Sequence, residues 1–356
     1  MRPAIVKLSA QPLALAPHPR REHVFCIGLI DGTVELRDAH ETRALARFPR
    51  EKALGSCRQA AWAGDALAAG FADGALRAWD CSDDAATRGR EAWRADGDGE
   101  AVTALRPLNA RGGACLAVGD DDGRVRLWDA RLRGDRRPPV ESQPHEDYVS
   151  DIAVEGTTLL TTGADGRLAA LDARSNLKPL GVSEPQDDEL LAVAVLKGGR
   201  KVICGTATGP LVVYNWGRWG DSKDRLLGHP ESVDALLRFD DDTLVTGSSD
   251  GRVRVCRVMP GLDVLGVLGE HDGFPVEALA FNADRSSVLS LSHDSVVRVF
   301  DASGLEEMAA AGGDSGDSDG SEGSNSDSDS DAPKKKPAAK RRKAAPKAEN
   351  AFFEGL

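Results

Sequence analysis

Asp122-Gly123-Arg124-Val125-Arg126-Leu127-Trp128-Asp129 is the stretch on which the fold turns. An Asp-Gly pair between two apolar runs is a two-residue hairpin turn, because the turn needs positive φ and glycine adopts it freely. The residues after it alternate apolar and polar with period two, as a strand requires. The pattern returns along the chain as Asp31-Gly32 to Asp38, Asp73-Gly74 to Trp79-Asp80, and Asp165-Gly166 to Leu171-Asp172. Weaker copies are Thr208-Gly209 to Tyr214-Asn215, Asp250-Gly251 to Cys256-Arg257, and Asp294-Ser295 to Phe300-Asp301. The second turn residue falls at 32, 74, 123, 166, 209, 251 and 295, in steps of 42 to 49.

A further apolar run precedes each turn (Cys115–Val118, Val202–Gly205, Thr243–Thr246), and another precedes that one (Val149–Val154, Val233–Phe239, Val276–Phe281). A period of about 40–45 residues closing on Trp-Asp is the WD-repeat signature, one four-stranded propeller blade per unit. The expected fold is therefore all-β, a seven-bladed WD40 β-propeller over residues 1–308, with a disordered acidic/basic tail over 309–356. Residues 302–308 read as too short and irregular for an outer strand. Residues 4–9 are expected to complete the last blade instead, removing an open edge.

Composition narrows the function. No run of about 18 uncharged apolar residues exists to span a membrane, and Lys7, Pro12 and Pro17 interrupt the apolar stretch that could pass for a leader. Cys26, Cys57, Cys81, Cys115, Cys204 and Cys256 show no Cys-x-x-Cys spacing, so no zinc site is expected, and no other cofactor. Of the net charge of −12, the tail carries −1 and the body −11. An acidic body is a poor phosphate binder.

His145, His229 and His271 each stand shortly before an inner strand, and Asp165, Asp250 and Asp294 stand in the turns of the same blades. The His is read as a structural partner of the turn Asp, His229 with Asp250 in particular, while His293 reads as solvated. Gly247-Ser248-Ser249-Asp250-Gly251 matches a nucleophile elbow in letters only, because a strand rather than a helix follows it. No phosphate-cradling glycine loop runs from a strand into a helix. The expectation is a protein that is not an enzyme.

The loops before the inner strands share one face and carry Glu146, Asp147, Tyr148, Asp187, Asp188, Glu189, Glu231, Asp272 and Phe274. An acidic rim with aromatics favours a basic protein segment over bare RNA; a merely solvated rim is the other reading. Trp216 and Trp219 fall past a third strand, hence on the opposite face, as a second contact or, for Trp216, as blade core. In the tail, Ser324, Ser326 and Ser328 each precede Asp by three and suit acidic-directed kinases. Lys334, Lys335 and Lys336, then Lys340, Arg341, Arg342 and Lys343, read as a nuclear import signal, with an RNA-contacting arm as the alternative. Phe352 and Phe353 resemble a docking peptide for a partner's groove or this propeller's own.

Several strings go beyond generic repeats: His145-Glu-Asp-Tyr-Val-Ser-Asp151, Ser183-Glu-Pro-Gln-Asp-Asp-Glu-Leu-Leu191, Trp216-Gly-Arg-Trp-Gly-Asp221 and Gly228-His-Pro-Glu-Ser-Val-Asp-Ala-Leu236. They resemble the WD repeat-containing protein 55 family of nucleolar proteins. The resemblance implies a scaffold in the nucleus and nucleolus needed for ribosomal RNA production and large-subunit assembly. It would be a monomer within larger complexes, with basic ribosomal or pre-ribosomal proteins as partners. Thr208, Cys256 and Phe300 depart from the turn-Asp and Trp consensus and are expected to loosen blades five to seven. A rival reading rests on Trp128-Asp129-Ala130-Arg131 and Leu171-Asp172-Ala173-Arg174, which resemble the boxes by which propellers dock the adaptor of cullin-RING ubiquitin ligases.

Overall fold

The apolar–polar alternation around each Asp-Gly turn folds every repeat into a four-stranded antiparallel sheet, seven in all among the described residues. The computed structural model describes residues 3–311, apart from 42, 50, 83–89, 111–112, 130–138 and 259–260. The first strand in the chain is β1 (Ala4–Lys7). Blade 1 is β2–β5 (Pro12–Pro17, Val24–Leu29, Val34–Asp38, Ala44–Phe48), and blade 2 is β6–β9 (Cys57–Ala63, Ala66–Phe71, Leu76–Asp80, Arg90–Ala95). Blade 3 is β10–β13 (Val102–Ala110, Gly113–Asp120, Val125–Asp129, Val140–Ser142), and blade 4 is β14–β17 (Val149–Glu155, Thr158–Gly163, Leu168–Asp172, Lys178–Val182). Blade 5 is β18–β21 (Leu190–Leu196, Lys201–Thr206, Leu211–Asn215, Asp224–Leu226), and blade 6 is β22–β25 (Val233–Arg238, Thr243–Ser248, Arg252–Val258, Leu262–Glu270). Blade 7 takes β26–β28 (Val276–Phe281, Ser287–Ser292, Val296–Asp301) and borrows β1 as its outer strand, with Ala4 opposite Val299 and Lys7 opposite Val296. The innermost strand β2 lies against β26 and β27, which closes the ring.

The core is the set of seams between blades. All six residues of β3 and of β23 are buried, since each faces a neighbouring sheet on both sides. Five second strands carry a glycine where the next blade's first strand presents a side chain. A Cβ on Gly119 would fall 2.6 Å from Val149 Cγ1, and one on Gly70 would fall 2.5 Å from Val102 Cγ1. Gly28, Gly205 and Gly247 meet Cys57, Val233 and Val276 in the same way. Glycine there lets two sheets approach closely.

Every first strand carries a β-bulge at its second residue. Val102 pairs with Asp120 and Ala104 with Gly119, leaving Thr103 over. The corresponding extra residues are Leu13, Arg58, Ser150, Leu191, Asp234 and Glu277.

Residues 302–308 form no outer strand; they turn into a helix instead. Leu305–Ala311 form a helix, α1, whose Leu305 is buried and whose Met308 packs into the seam of blades 6 and 7. Leu305 and Met308 lie three apart on one helical face, and Ala and Glu are strong helix formers. Arg257 donates to the Ala309 carbonyl at 2.6 Å, binding the helix to β24. Among the described residues no helix is long and apolar enough to cross a membrane.

Candidate functional site: the rim face of the propeller

The hairpin turns and the loops before the first strands meet on one face because backbone bonds join them. Ala72 N donates to Ser56 O (3.0 Å), Asp121 N to Ala101 O (3.1 Å), Ala164 N to Tyr148 O (3.1 Å), Ala207 N to Glu189 O (3.2 Å) and Ser249 N to Ser232 O (3.1 Å). The turn glycines 74, 123, 166, 209 and 251 also press on the next blade's loop. A Cβ on Gly123 (φ +76) would lie 2.5 Å from His145 O and 2.7 Å from Asp147 O.

The buried histidines lock two of these loops. His145 holds Asp165 through Nδ1 at 3.1 Å and Thr161 through Nε2 at 2.8 Å. His271 holds Asp294 at 2.9 Å and Ser290 at 2.6 Å. A carboxylate only accepts, so Nδ1 carries the proton and Nε2 accepts the hydroxyl. Burial pushes the Asp165 carboxyl up, but bonds from His145, Glu146 N and Arg167 N outweigh it and leave the pKa below the usual range.

Blade 6 departs from the expected pairing. His229 is buried and its Nε2 meets Thr246 at 2.9 Å, yet its Nδ1 has no hydrogen-bond partner among the described residues. Asp250 turns instead to Arg254, which grips both carboxylate oxygens. The cause is a competition for the carboxylate. Blade 4 has Ala169 in place of that arginine, so Asp165 stays with His145. In blade 7, Arg298 divides itself between Asp294 (3.3 Å) and the loop residue Asp272 (2.6 Å). Blade 6 has Pro230 where blade 7 has Asp272, so Arg254 takes Asp250 entirely. Burial, with Arg254 nearby, lowers the His229 imidazole to about 4. Cys256 lies 3.9 Å from Nε2, but burial raises its thiol to about 11, so the two form no thiolate–imidazolium pair.

Blade 5 keeps a tie at its turn despite the departure from consensus. Thr208, in the turn-Asp position, donates from its hydroxyl and its backbone N–H to Asp188 Oδ2, reversing which side supplies the acceptor.

The nine rim residues sort into two groups. Asp188 is used by Thr208, Asp272 by Arg298, and Asp147 by the Tyr148 N–H at 2.7 Å. Tyr148 donates to Glu189 at 3.4 Å, tying blades 4 and 5. Glu146, Asp187 and Glu231 are exposed and their carboxylates have no partner among the described residues. Phe274 is 46% exposed, and Ile30, which the sequence reading passed over, is 49% exposed on the same face. His293 is not merely solvated: its Nε2 sits 3.2 Å from Glu277 Oε1.

Trp219 is not an exposed contact. It is buried over Gly181 of β17, so the segment after β20 straps blade 5 onto blade 4, and the Glu184 N–H donates to Gly220 O at 2.8 Å. Trp216 is half-buried and stacks edge-on against Trp219 at 5.3 Å. In the adaptor-box strings Trp128 and Asp129 are half-buried, and Arg174 is exposed beside Asp172 at 3.5 Å. Arg131, the serines 324, 326 and 328, the basic clusters and Phe352–Phe353 lie outside the described residues. Among the described residues no group of three or more His, Cys, Asp or Glu could hold a metal ion.

The family model for the WD domain, G-beta repeat, matches residues 94–129, 220–256 and 262–301. The chain is similar to WD repeat-containing protein 55 of Arabidopsis thaliana, 34% identical over 309 residues that cover 85% of this chain and 83% of that one. It is 42% identical over 196 residues to WD repeat-containing protein JIP5 of Cryptococcus neoformans, covering 54% of this chain and 51% of that one. It is 36% identical over 195 residues to WD repeat-containing protein 55 of Mus musculus, covering 54% and 49%. The match thus spans about half the length of the fungal and mouse relatives. Among solved structures, the computationally designed Ika8 protein superposes with a TM-score of 0.64 at 21% identity, covering 85% of this chain and all of that one, a likeness of fold alone.

Proposed function

The chain belongs to the WD repeat-containing protein 55 family, and from that membership we propose a non-enzymatic scaffold of the nucleolus that supports ribosomal RNA production and large-subunit assembly. A WD-repeat propeller serves generally as a protein-interaction platform, its function residing in grafted surfaces rather than reactive groups. The observation that carries the reading is the rim face, where the loops of successive blades present exposed Glu146, Asp187, Glu231 and Phe274. Such a face suits a basic segment of a ribosomal or pre-ribosomal protein that also offers an apolar side chain. Bare RNA is repelled by it, which leaves any RNA contact to the basic tail.

Two experiments test the proposal. Depleting the protein from growing cells should cause precursor ribosomal RNA to accumulate and large subunits to fall; unchanged precursors would sink the ribosome assignment. Replacing Lys340–Lys343 by Ala in the tagged full chain should move it out of the nucleus while leaving its thermal midpoint unchanged. Retention in the nucleus would refute the import role of that cluster. The ligase-receptor alternative predicts that Arg131→Ala abolishes capture of the adaptor.

A further inference from the structure

On the outside of the ring, the seam of blades 5 and 6 is only half covered. The outer strand β25 runs nine residues, whereas the neighbouring β21 runs three, the segment before β21 being committed to blade 4 through Trp219. The two strands meet at one end. Leu226 and Leu262 share a core cluster, and a Cβ on Gly228 would fall 2.7 Å from Leu262 Cδ2. Past that contact β25 continues without cover from blade 5 among the described residues. Its pleat sorts the side chains. Gly266 and Gly269 face blade 7, where added Cβ atoms would meet Met308 and Phe300. Val264 lies two residues past Leu262, and Val267 follows Gly266, so both valines face blade 5. Val264 is 45% and Val267 52% exposed, and Leu227, beside Gly228, is 74% exposed. Three of the eight exposed large apolar side chains among the described residues thus gather at one seam, the mark of a contact surface rather than of scattered exposure.

Shape and charge define what fits there. Bulges after Val264 and after Val267 break the edge of β25, and a bulged edge resists strand addition, so a partner meets the pleated face instead. The other face of the same strand already holds a helix: α1 sets Leu305 and Met308, three apart, into the seam of blades 6 and 7, with Met308 over Gly266. Each strand of the bare seam also carries an exposed carboxylate with no partner among the described residues. Asp224 lies on the Leu226 face of β21, and Glu270 follows Gly269 on the side away from blade 7. We propose that this seam docks an amphipathic helix of a partner protein. Its apolar stripe covers Leu227, Val264 and Val267, and lysine or arginine beside the stripe faces Asp224 and Glu270. The surface belongs to the outer strands and stands independently of the rim face.

The test uses the full chain and a fluorescein-labelled peptide of leucine, lysine and alanine, about 18 residues long so that a helix can form, followed by anisotropy. Its leucines recur at i, i+3, i+4 and i+7; a peptide of the same composition with the leucines scattered around the helix is the control. Val264→Thr combined with Val267→Thr keeps strand propensity and should weaken the striped peptide about tenfold. Leu180→Thr combined with Val182→Thr, exposed apolar residues of blade 4, should leave it unchanged. Glu270→Lys should weaken it further than Asp263→Lys, the same charge change on the opposite side of β25. These side chains are exposed, and unaltered thermal midpoints show that each variant folds. Equal losses from the blade 4 pair, equal effects of the two lysine changes, or equal binding of the scattered peptide overturn the site. So does a striped peptide that fails to bind the wild-type chain. A wild-type dimer on gel filtration that Val264→Thr with Val267→Thr converts to monomer names a second copy as the occupant and overturns the helix.

Discussion

One carboxylate in blade 6 shows how a single neighbour redirects a repeated contact. Arg254 holds Asp250 bidentately and leaves the His229 Nδ1 without a partner in a buried site, an arrangement that costs roughly 1–3 kcal/mol. The folded imidazole sits at about 4 against an ordinary 6.5. Between those values the unfolded chain binds more protons than the folded one, so stability falls as the pH is lowered through that window, by about 3 kcal/mol at most. His271, also lowered by burial, adds in the same direction. Urea midpoints measured from pH 7 to pH 4 should drop for the wild type and drop less for His229→Gln. Arg254→Met should free Asp250 to accept from Nδ1 and remove a positive neighbour, so the His229 ring should titrate well above 4 by NMR. A ring still titrating near 4 would show that Arg254 is not the competitor.

Blade seams depend on residues that carry no side chain. Gly119 lets β11 approach Val149 of the next blade, and a methyl group there would fall 2.6 Å from the valine. Gly119→Ala should therefore destabilise by about 1–3 kcal/mol, and Val149→Ala by a similar amount for its lost packing. In the double variant the smaller valine position accommodates the new methyl, so the two losses should sum to less than their parts in chemical denaturation. Strict additivity would show that the glycine is there for another reason. The turns were legible in the sequence because Asp-Gly has a local cause: Gly123 needs positive φ within its own four residues. The seam glycines and the bulges were not legible, because Gly119 is explained only by Val149, thirty residues on and in another sheet. Trp219 misled for the same reason, since the group that buries it, Gly181, lies in the preceding blade. The reversed tie of Asp188 to Thr208 likewise joins a loop to a turn whose departure from consensus looked like a loss.

Closure is a property of the whole ring and rests on its first strand. Val6 of β1 is 4% exposed and packs with Phe25, Ile27, Leu29, Leu289, Leu291 and Val297, a cluster shared by blades 7 and 1. Without β1, the β28 edge is left with unpaired backbone groups and the cluster opens to water, which makes the edge prone to association as well as weak. Burial of one valine and the lost strand bonds together amount to about 3–5 kcal/mol. Because each blade is stabilised by its neighbours, the loss should reach beyond blade 7 and lower the single unfolding transition of the body. The chain lacking residues 1–10 should therefore unfold at a lower guanidinium midpoint than the full chain and show a stronger tendency to self-associate on gel filtration. A synthetic peptide of residues 1–10 should restore part of the midpoint only near millimolar concentration, since the covalent link otherwise supplies that local concentration. An unchanged midpoint without residues 1–10 would mean that the seam between blades 7 and 1 holds without its outer strand.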